Sequence, residues 1–162
     1  MDTGGAAQCS VVDGGFSRYN EATARHCVAL ARAARDGGVA SVAVITPYVE
    51  QARRIRRLLN GVDGVECQTV HRFQGSERDL VVLDTVDAEP HRPGVLLAGS
   101  GPGAQAANLL NVAVSRARGK LIIVADREYF QARASASALT ALLDACVKVG
   151  QCHGFPDEPS RP

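Results

Sequence analysis

The sequence has almost no net charge: 18 Lys and Arg stand against 17 Asp and Glu, leaving +1. That excludes a global field for a polyanion, so any nucleic-acid contact has to come from a local patch. There is no apolar run near the ~18 residues of a membrane-spanning helix, and no membrane partner is expected. There is no basic start followed by an apolar stretch in MDTGGAAQCSVVDGG, so no secretory signal is legible. A disulfide frame is missing as well. Cys9, Cys27, Cys67, Cys146 and Cys152 are odd in number and scattered. They read as reduced thiols, and a cytoplasmic location is expected. Cys146, Cys152 and His153 lie close together, but their spacing fits no standard zinc pattern and a fourth ligand is not evident. No internal repeat is present.

What is there is the balance of one ordinary globular domain. The chain has 162 residues, 46% apolar and 22% charged. That is enough for one core and too short for two large ones. Sixteen of the 18 basic residues are Arg, which a GC-rich genome explains more simply than phosphate binding does.

Residues 1–16 are Gly- and Ala-rich and are expected to be loose. From Asn20 the apolar spacing is helical, through Ala24, Cys27, Val28, Ala31 and Ala34, and it stops at Gly37-Gly38. Val42–Ile45 is apolar throughout, the mark of a strand buried on both faces. Thr46-Pro47 then reads as an N-cap and first helical position. The helix that follows is expected to bury Ala52, Ile55, Leu58 and Leu59 and to end near Asn60-Gly61. Further strands are predicted at 65–70, 80–83 and 121–124. Further helices are predicted near 105–117, with a buried stripe of Leu110, Val114 and Ala117, and at 137–149. Residues 151–162 read as an unstructured tail. Strands alternating with helices imply an α/β fold, a parallel sheet covered on both faces. Ligands of such sheets sit beyond the carboxyl ends of the strands.

Three clusters carry possible chemistry. In the first, Tyr48 and Gln51 share the opening turn of a helix, where a ring can stack on a base and a carboxamide can read its edge. The plain reading is a buried Tyr and a surface Gln. The second runs from Thr69 to Asp79. Gly75 permits close backbone approach, Glu77 suits a ribose hydroxyl, and Thr69 and His71 suit a phosphate backbone. A solvated loop with internal ion pairs is the bland alternative. In the third, Arg116 stands near a helix end, with Arg118 and Lys120 in the turn. A cation there suits the charge of a phosphoryl-transfer transition state. Favourable charge at a helix C-terminus, worth ~0.3–1 kcal/mol, is the plain alternative, and taken singly it is the better reading. The Gly99–Gly103 stretch imitates a dinucleotide fingerprint. Asp126 comes 27 residues after Gly99, beyond the usual ~20, and Pro102 sits inside the loop, so a connector is favoured.

Taken in order, the clusters resemble motifs IV, V and VI of superfamily 1 helicases. Ile45-Thr46-Pro47-Tyr48 through Gln51 is similar to motif IV. Thr69-Val70-His71-Arg72-Phe73-Gln74-Gly75, with Glu77 and Asp79, is similar to motif V. Leu110-Asn111-Val112-Ala113-Val114-Ser115-Arg116-Ala117-Arg118 is similar to motif VI. Ser17, Asn20, Glu21 and Ala24 resemble the segment before motif IV. The pattern is most like the group of the nonsense-mediated-decay RNA helicase and the Okazaki-fragment nuclease-helicase.

The resemblance implies a three-layer RecA-like domain over residues 17–150, the second of the two that clamp ATP and Mg²⁺ in that family. By resemblance, Arg116 is the arginine finger and Gln74 couples nucleotide to nucleic acid. Gly75, Glu77 and Arg118 face the nucleotide. Thr69, His71, Tyr48 and Gln51 lie along single-stranded nucleic acid, and polarity is 5′-to-3′. The basic pair usual before Leu-Asn-Val-Ala is replaced by Asn108 and Leu109.

No Gly-x-x-x-x-Gly-Lys-Ser/Thr loop is present, since Gly119-Lys120 runs into Leu121. No Asp-Glu pair for Mg²⁺ stands at a strand end either. The implied partner is therefore a first RecA-like domain, in cis or in trans, without which no ATP hydrolysis is expected. The alternative is a stand-alone, non-catalytic nucleic-acid-binding or regulatory module of the same fold.

Overall fold

In the computed structural model, which describes residues 1–73, 77–99 and 105–154, the elements follow a βα order. They are β1 (Ser10–Val11), β2 (Arg18–Tyr19), α1 (Glu21–Asp36), β3 (Val42–Thr46), α2 (Val49–Leu59), β4 (Val65–Thr69) and β5 (Arg78–Asp84). Then come α3 (Val95–Ala98), α4 (Gln105–Ser115), β6 (Ala117–Val124), α5 (Arg127–Arg133) and α6 (Ala138–Val149). The main sheet is parallel, in the order β4-β3-β5-β6. A two-stranded β1-β2 ribbon stands beside it.

Alternation along the strands divides the core in two. Val42, Val44, Leu80 and Val82 face α1 and α2, where Cys27, Ala31, Ala52 and Ile55 pack on them. Ala43, Ile45, Val81 and Leu83 face the other way, onto Leu97, Leu110, Phe130 and Leu139. A side-chain period of two thus gives each inner strand two apolar faces, and helices cover both. This is the expected three-layer α/β fold.

Several local expectations are corrected. Thr46 completes β3 and Pro47 lies outside the helix, so neither caps α2. Its N-cap is Tyr48, which offers no side-chain bond. The Oγ of Ser17 instead accepts the Glu50 N–H at 3.0 Å. Leu58 is exposed and Gln51 takes the inward position. The helix does end at Asn60, in the left-handed region with φ 42°. In α4 the buried stripe is Ala106, Leu109, Leu110 and Ala113, with Val114 exposed. β6 begins at Ala117, so Arg118 and Lys120 belong to a strand and not to a turn. The short helix α5, capped by the Asp126 carboxylate accepting from Tyr129 N–H, was too brief for periodicity to reveal.

The N-terminal segment, expected to be loose, is tied down. The Met1 ammonium donates to Ile123 O, Ala125 N–H to Met1 O, and Thr3 N–H to Ala125 O. Thr3, Ala7 and Cys9 are buried. Backbone groups at the sheet margin need partners, and this segment supplies them. Of the expected tail, His153 O accepts the Asp2 N–H at 2.8 Å. Residues 155–162 lie outside the described residues.

Candidate functional site

At the amino-terminal edge of the sheet, β5 and β6 start side by side. Arg78 pairs in register with Ala117, and Arg78 N–H donates to Arg116 O at 2.9 Å. The residues just before those two strands are Glu77 and Arg116. The backbones of Glu77 and Arg116 are thereby adjacent, next to one interstrand hydrogen bond. The Arg116 Nε is buried and has no hydrogen-bond partner among the described residues. Glu77 is exposed.

Neighbouring side chains hold this corner. Arg78 pairs with Glu66 of β4 at 2.5 Å and lies over the buried Phe73 ring at 5.6 Å. Asp79 accepts from the Ser41 hydroxyl at 2.7 Å, from the Ser41 N–H at 3.0 Å, and from Arg118 at 2.9 Å. The Ser41 hydroxyl, with Arg118 beyond it, holds the Asp79 carboxyl below its usual range. Arg118 is therefore engaged by Asp79 and not displayed as a free cation. Gly119 passes so close that a Cβ would lie 2.8 Å from Asp79 O.

The carboxyl-terminal edge differs from the expectation of an open ligand site. Gln51 is fully buried. Its Nε2 donates to Asp84 at 2.6 Å, to Asn20 O and to Thr23 Oγ, while its Oε1 accepts the Asn20 N–H at 2.8 Å. Asp84 is buried, and burial pushes its carboxyl up to about 6 despite bonds from Gln51, Thr23 and the Val86 N–H. Tyr48 donates to Asp87 at 2.8 Å, and Arg18 and the Gly94 N–H also donate to that carboxylate. Burial raises the Asp87 carboxyl above its ordinary value, and Arg18 opposes that. It raises the Tyr48 phenol too.

Tyr48 and Gln51, expected along nucleic acid, are thus internal clamps between α2, the start of α1 and the end of β5. Buried carboxylates at strand ends require donors, and these two residues provide them. Asp84, Asp87 and Arg18 were not singled out by sequence. The available signal was a carboxylate closing an apolar strand.

Thr69 and His71 also lie at this edge. Thr69 ends β4, its O accepting the Arg72 and Phe73 N–H groups in a turn, and His71 is exposed. The seven residues of β5 separate the two edges by roughly 20 Å. Gln74 and Gly75, as well as most of the Gly99–Gly103 stretch, lie outside the described residues. Among the described residues no group of three His, Cys, Asp or Glu side chains is placed to hold a metal ion. No described helix is long and apolar enough to cross a membrane.

Residues 1–128 match the model of the AAA domain family. The chain is 36% identical over 84 residues to the probable RNA helicase armi of Drosophila melanogaster, covering 51% of this chain and 7% of that protein. It is 32% identical over 95 residues to the DNA polymerase alpha-associated DNA helicase A of Saccharomyces cerevisiae, covering 56% and 13%. It is 33% identical over 94 residues to helicase sen1 of Schizosaccharomyces pombe, covering 54% and 5%. About half of this chain thus corresponds to a small fraction of each relative's length. The chain belongs to the AAA domain family and is a RecA-like domain of the superfamily 1 helicase type.

Proposed function

We propose that this domain is the second motor domain of an ATP-dependent helicase and that it works on a nucleotide gripped by a first RecA-like domain. The observation that carries this reading is that Glu77 and Arg116 stand at the starts of the adjacent strands β5 and β6, next to the Arg78–Arg116 backbone bond. A buried guanidinium nitrogen without a partner among the described residues suits an anionic oxygen brought from outside. An exposed carboxylate at the start of the neighbouring strand suits a ribose hydroxyl. These residues fit a nucleotide from one side only. The phosphate-cradling loop and the Mg²⁺ ligands belong to the partner domain, and there Mg²⁺ neutralises phosphate charge.

In this reading Arg116 reaches the γ-phosphate and stabilises the charge that builds during transfer. By motif alone, Gly75 is assigned to the nucleotide side and Gln74 to its coupling with nucleic acid. Arg118 acts through Asp79, as a brace for the corner. Single-stranded nucleic acid runs along the opposite edge, where His71 and Arg72 are exposed. One lobe neutralises few phosphates, so its binding alone is weak and salt-sensitive.

The chain alone is expected to show no ATP hydrolysis above background in a phosphate-release assay. Turnover that copurifies with the chain and vanishes in Arg116→Ala would overturn the reading.

A further inference from the structure

The near-zero net charge conceals a division. Residues 21–59 hold seven Arg and three carboxylates, a net +4 within a chain of +1. A GC-rich genome accounts for the number of Arg, not for where they gather. Four of the seven, Arg53, Arg54, Arg56 and Arg57, stand on α2. Glu50, Arg53, Arg54 and Arg57 share one face of that helix by their i, i+3, i+4, i+7 spacing. The Glu50 carboxylate meets Arg53 at 3.6 Å, Arg54 at 3.4 Å and Arg57 at 3.8 Å, all longer than a charge-assisted hydrogen bond. Arg54 is also taken by Glu21. The Arg53 and Arg57 side chains stay 61% and 71% exposed. Exposed pairs of this kind are weak, so an incoming anion displaces them at little cost.

An aromatic ring stands at the head of that face. β1 and β2 pair Val11 with Arg18, and the Val12 N–H donates to Ser17 O at 3.1 Å, so residues 13–16 form the tip of a hairpin. Its base is fixed. Ser17 Oγ accepts the Glu50 N–H, Arg18 pairs with Asp87, and the Arg54 guanidinium lies 3.6 Å over the Tyr19 ring. At the tip Phe16 is 98% exposed, whereas Tyr48, Phe73, Tyr129 and Phe130 are buried. Asp13 on the same tip is exposed and has the wrong sign for a phosphate, so what the tip offers is the ring. Both features begin at the carboxyl-terminal edge. Thr46, which ends β3, pairs with Thr69, which ends β4, so the head of α2 and His71 follow neighbouring strand ends.

We propose that the hairpin tip and the α2 arginine face extend the nucleic-acid track, with an unpaired base stacked on Phe16 and adjoining phosphates on Arg53 and Arg57. A cationic stripe beside an aromatic ring is the pattern that single-stranded nucleic acid calls for, and a ring accepts any base. An acidic protein is the poorer fit. Protein interfaces centre on a buried apolar cluster, and here the exposed apolar side chains of α2, Val49 and Leu58, stand at opposite ends of the helix. The inference rests on the reading of a nucleic-acid edge at Thr69 and His71 and adds a second contact to it.

The test is fluorescence anisotropy of a labelled oligo-dT of about 12 nucleotides with the full chain in ~50 mM salt, where phosphate contacts are strong. Phe16→Ala is expected to weaken binding about 5–100-fold, and Phe16→Tyr to keep most of it. Arg53→Gln with Arg57→Gln is expected to lower the slope of log K against log salt by about 1.4, each phosphate contact on a single strand contributing ~0.7. All three side chains are exposed, so the thermal midpoints should not move. Binding that Phe16→Ala leaves unchanged and His71→Ala weakens would overturn the proposal and leave the Thr69–His71 edge standing. No binding by the native chain would overturn both. Competition by polyglutamate equal to that by unlabelled oligo-dT would overturn the proposal in favour of an acidic protein.

Discussion

Asp84 shows how much a single side chain says about this domain. It is a carboxylate buried at the end of β5, held by an amide, a hydroxyl and a backbone N–H. Its folded pKa of about 6 stands above the ordinary 3.8. The folded state therefore holds the proton more tightly than the unfolded chain does. Below about pH 4 the group is neutral in both states and costs nothing. Between about pH 4 and 6 stability falls as pH rises, and above that the full penalty, about 3 kcal/mol, is present. Asp84→Asn carries no charge, so the difference in unfolding free energy between variant and native chain should shift in the variant's favour across that window. Urea titrations at pH 4 and pH 7 read this directly. Asp87, also raised, keeps a residual slope in the variant. Asp79 and Asp144 are lowered and act below that window.

At the scale of elements, the corner between β5 and β6 is where geometry is tightest. The register shifts between Arg78 and Leu80, and Gly119 slides past Asp79 O with no room for a methyl group. Gly119→Ala should push the strands apart at their start. Overpacking of this kind costs about 1–3 kcal/mol, measurable as a lower urea midpoint. The displacement also moves the backbone that carries Arg116.

The strands and long helices were legible in sequence, because Val42–Ile45, Leu80–Leu83 and Leu121–Val124 are apolar at every position. The α2 cap was not, because it comes from Ser17, 33 residues away. Tyr48 and Gln51 were misplaced for the same reason. Their partners Asp87 and Asp84 lie on β5 or just beyond it, and local spacing carries no information about a contact that the sheet creates. The Arg118–Asp79 contact is likewise invisible locally, because the two residues are 39 apart in sequence. That Glu77 and Arg116 stand at the starts of neighbouring strands follows from the parallel register of β5 and β6, which local spacing does not reveal.

Taken as a whole, the molecule is one α/β/α lobe with two working edges. Its amino-terminal edge carries Glu77 and Arg116 at the starts of two adjacent strands. Its carboxyl-terminal edge is locked by a buried polar cluster, with His71 at its rim. The near-zero net charge agrees with a lobe that touches a strand which another domain helps to hold.

The central claim is that Arg116 acts on a nucleotide held elsewhere. It is tested most directly by steady-state ATP hydrolysis with this lobe joined to a first domain bearing the phosphate-binding loop, comparing native chain, Arg116→Ala and Arg116→Lys. The account predicts that Arg116→Ala lowers kcat by about 10³–10⁵ while the lobe stays folded, and that Arg116→Lys restores little, because a point charge does not replace the planar fork. Unchanged kcat in Arg116→Ala would contradict it.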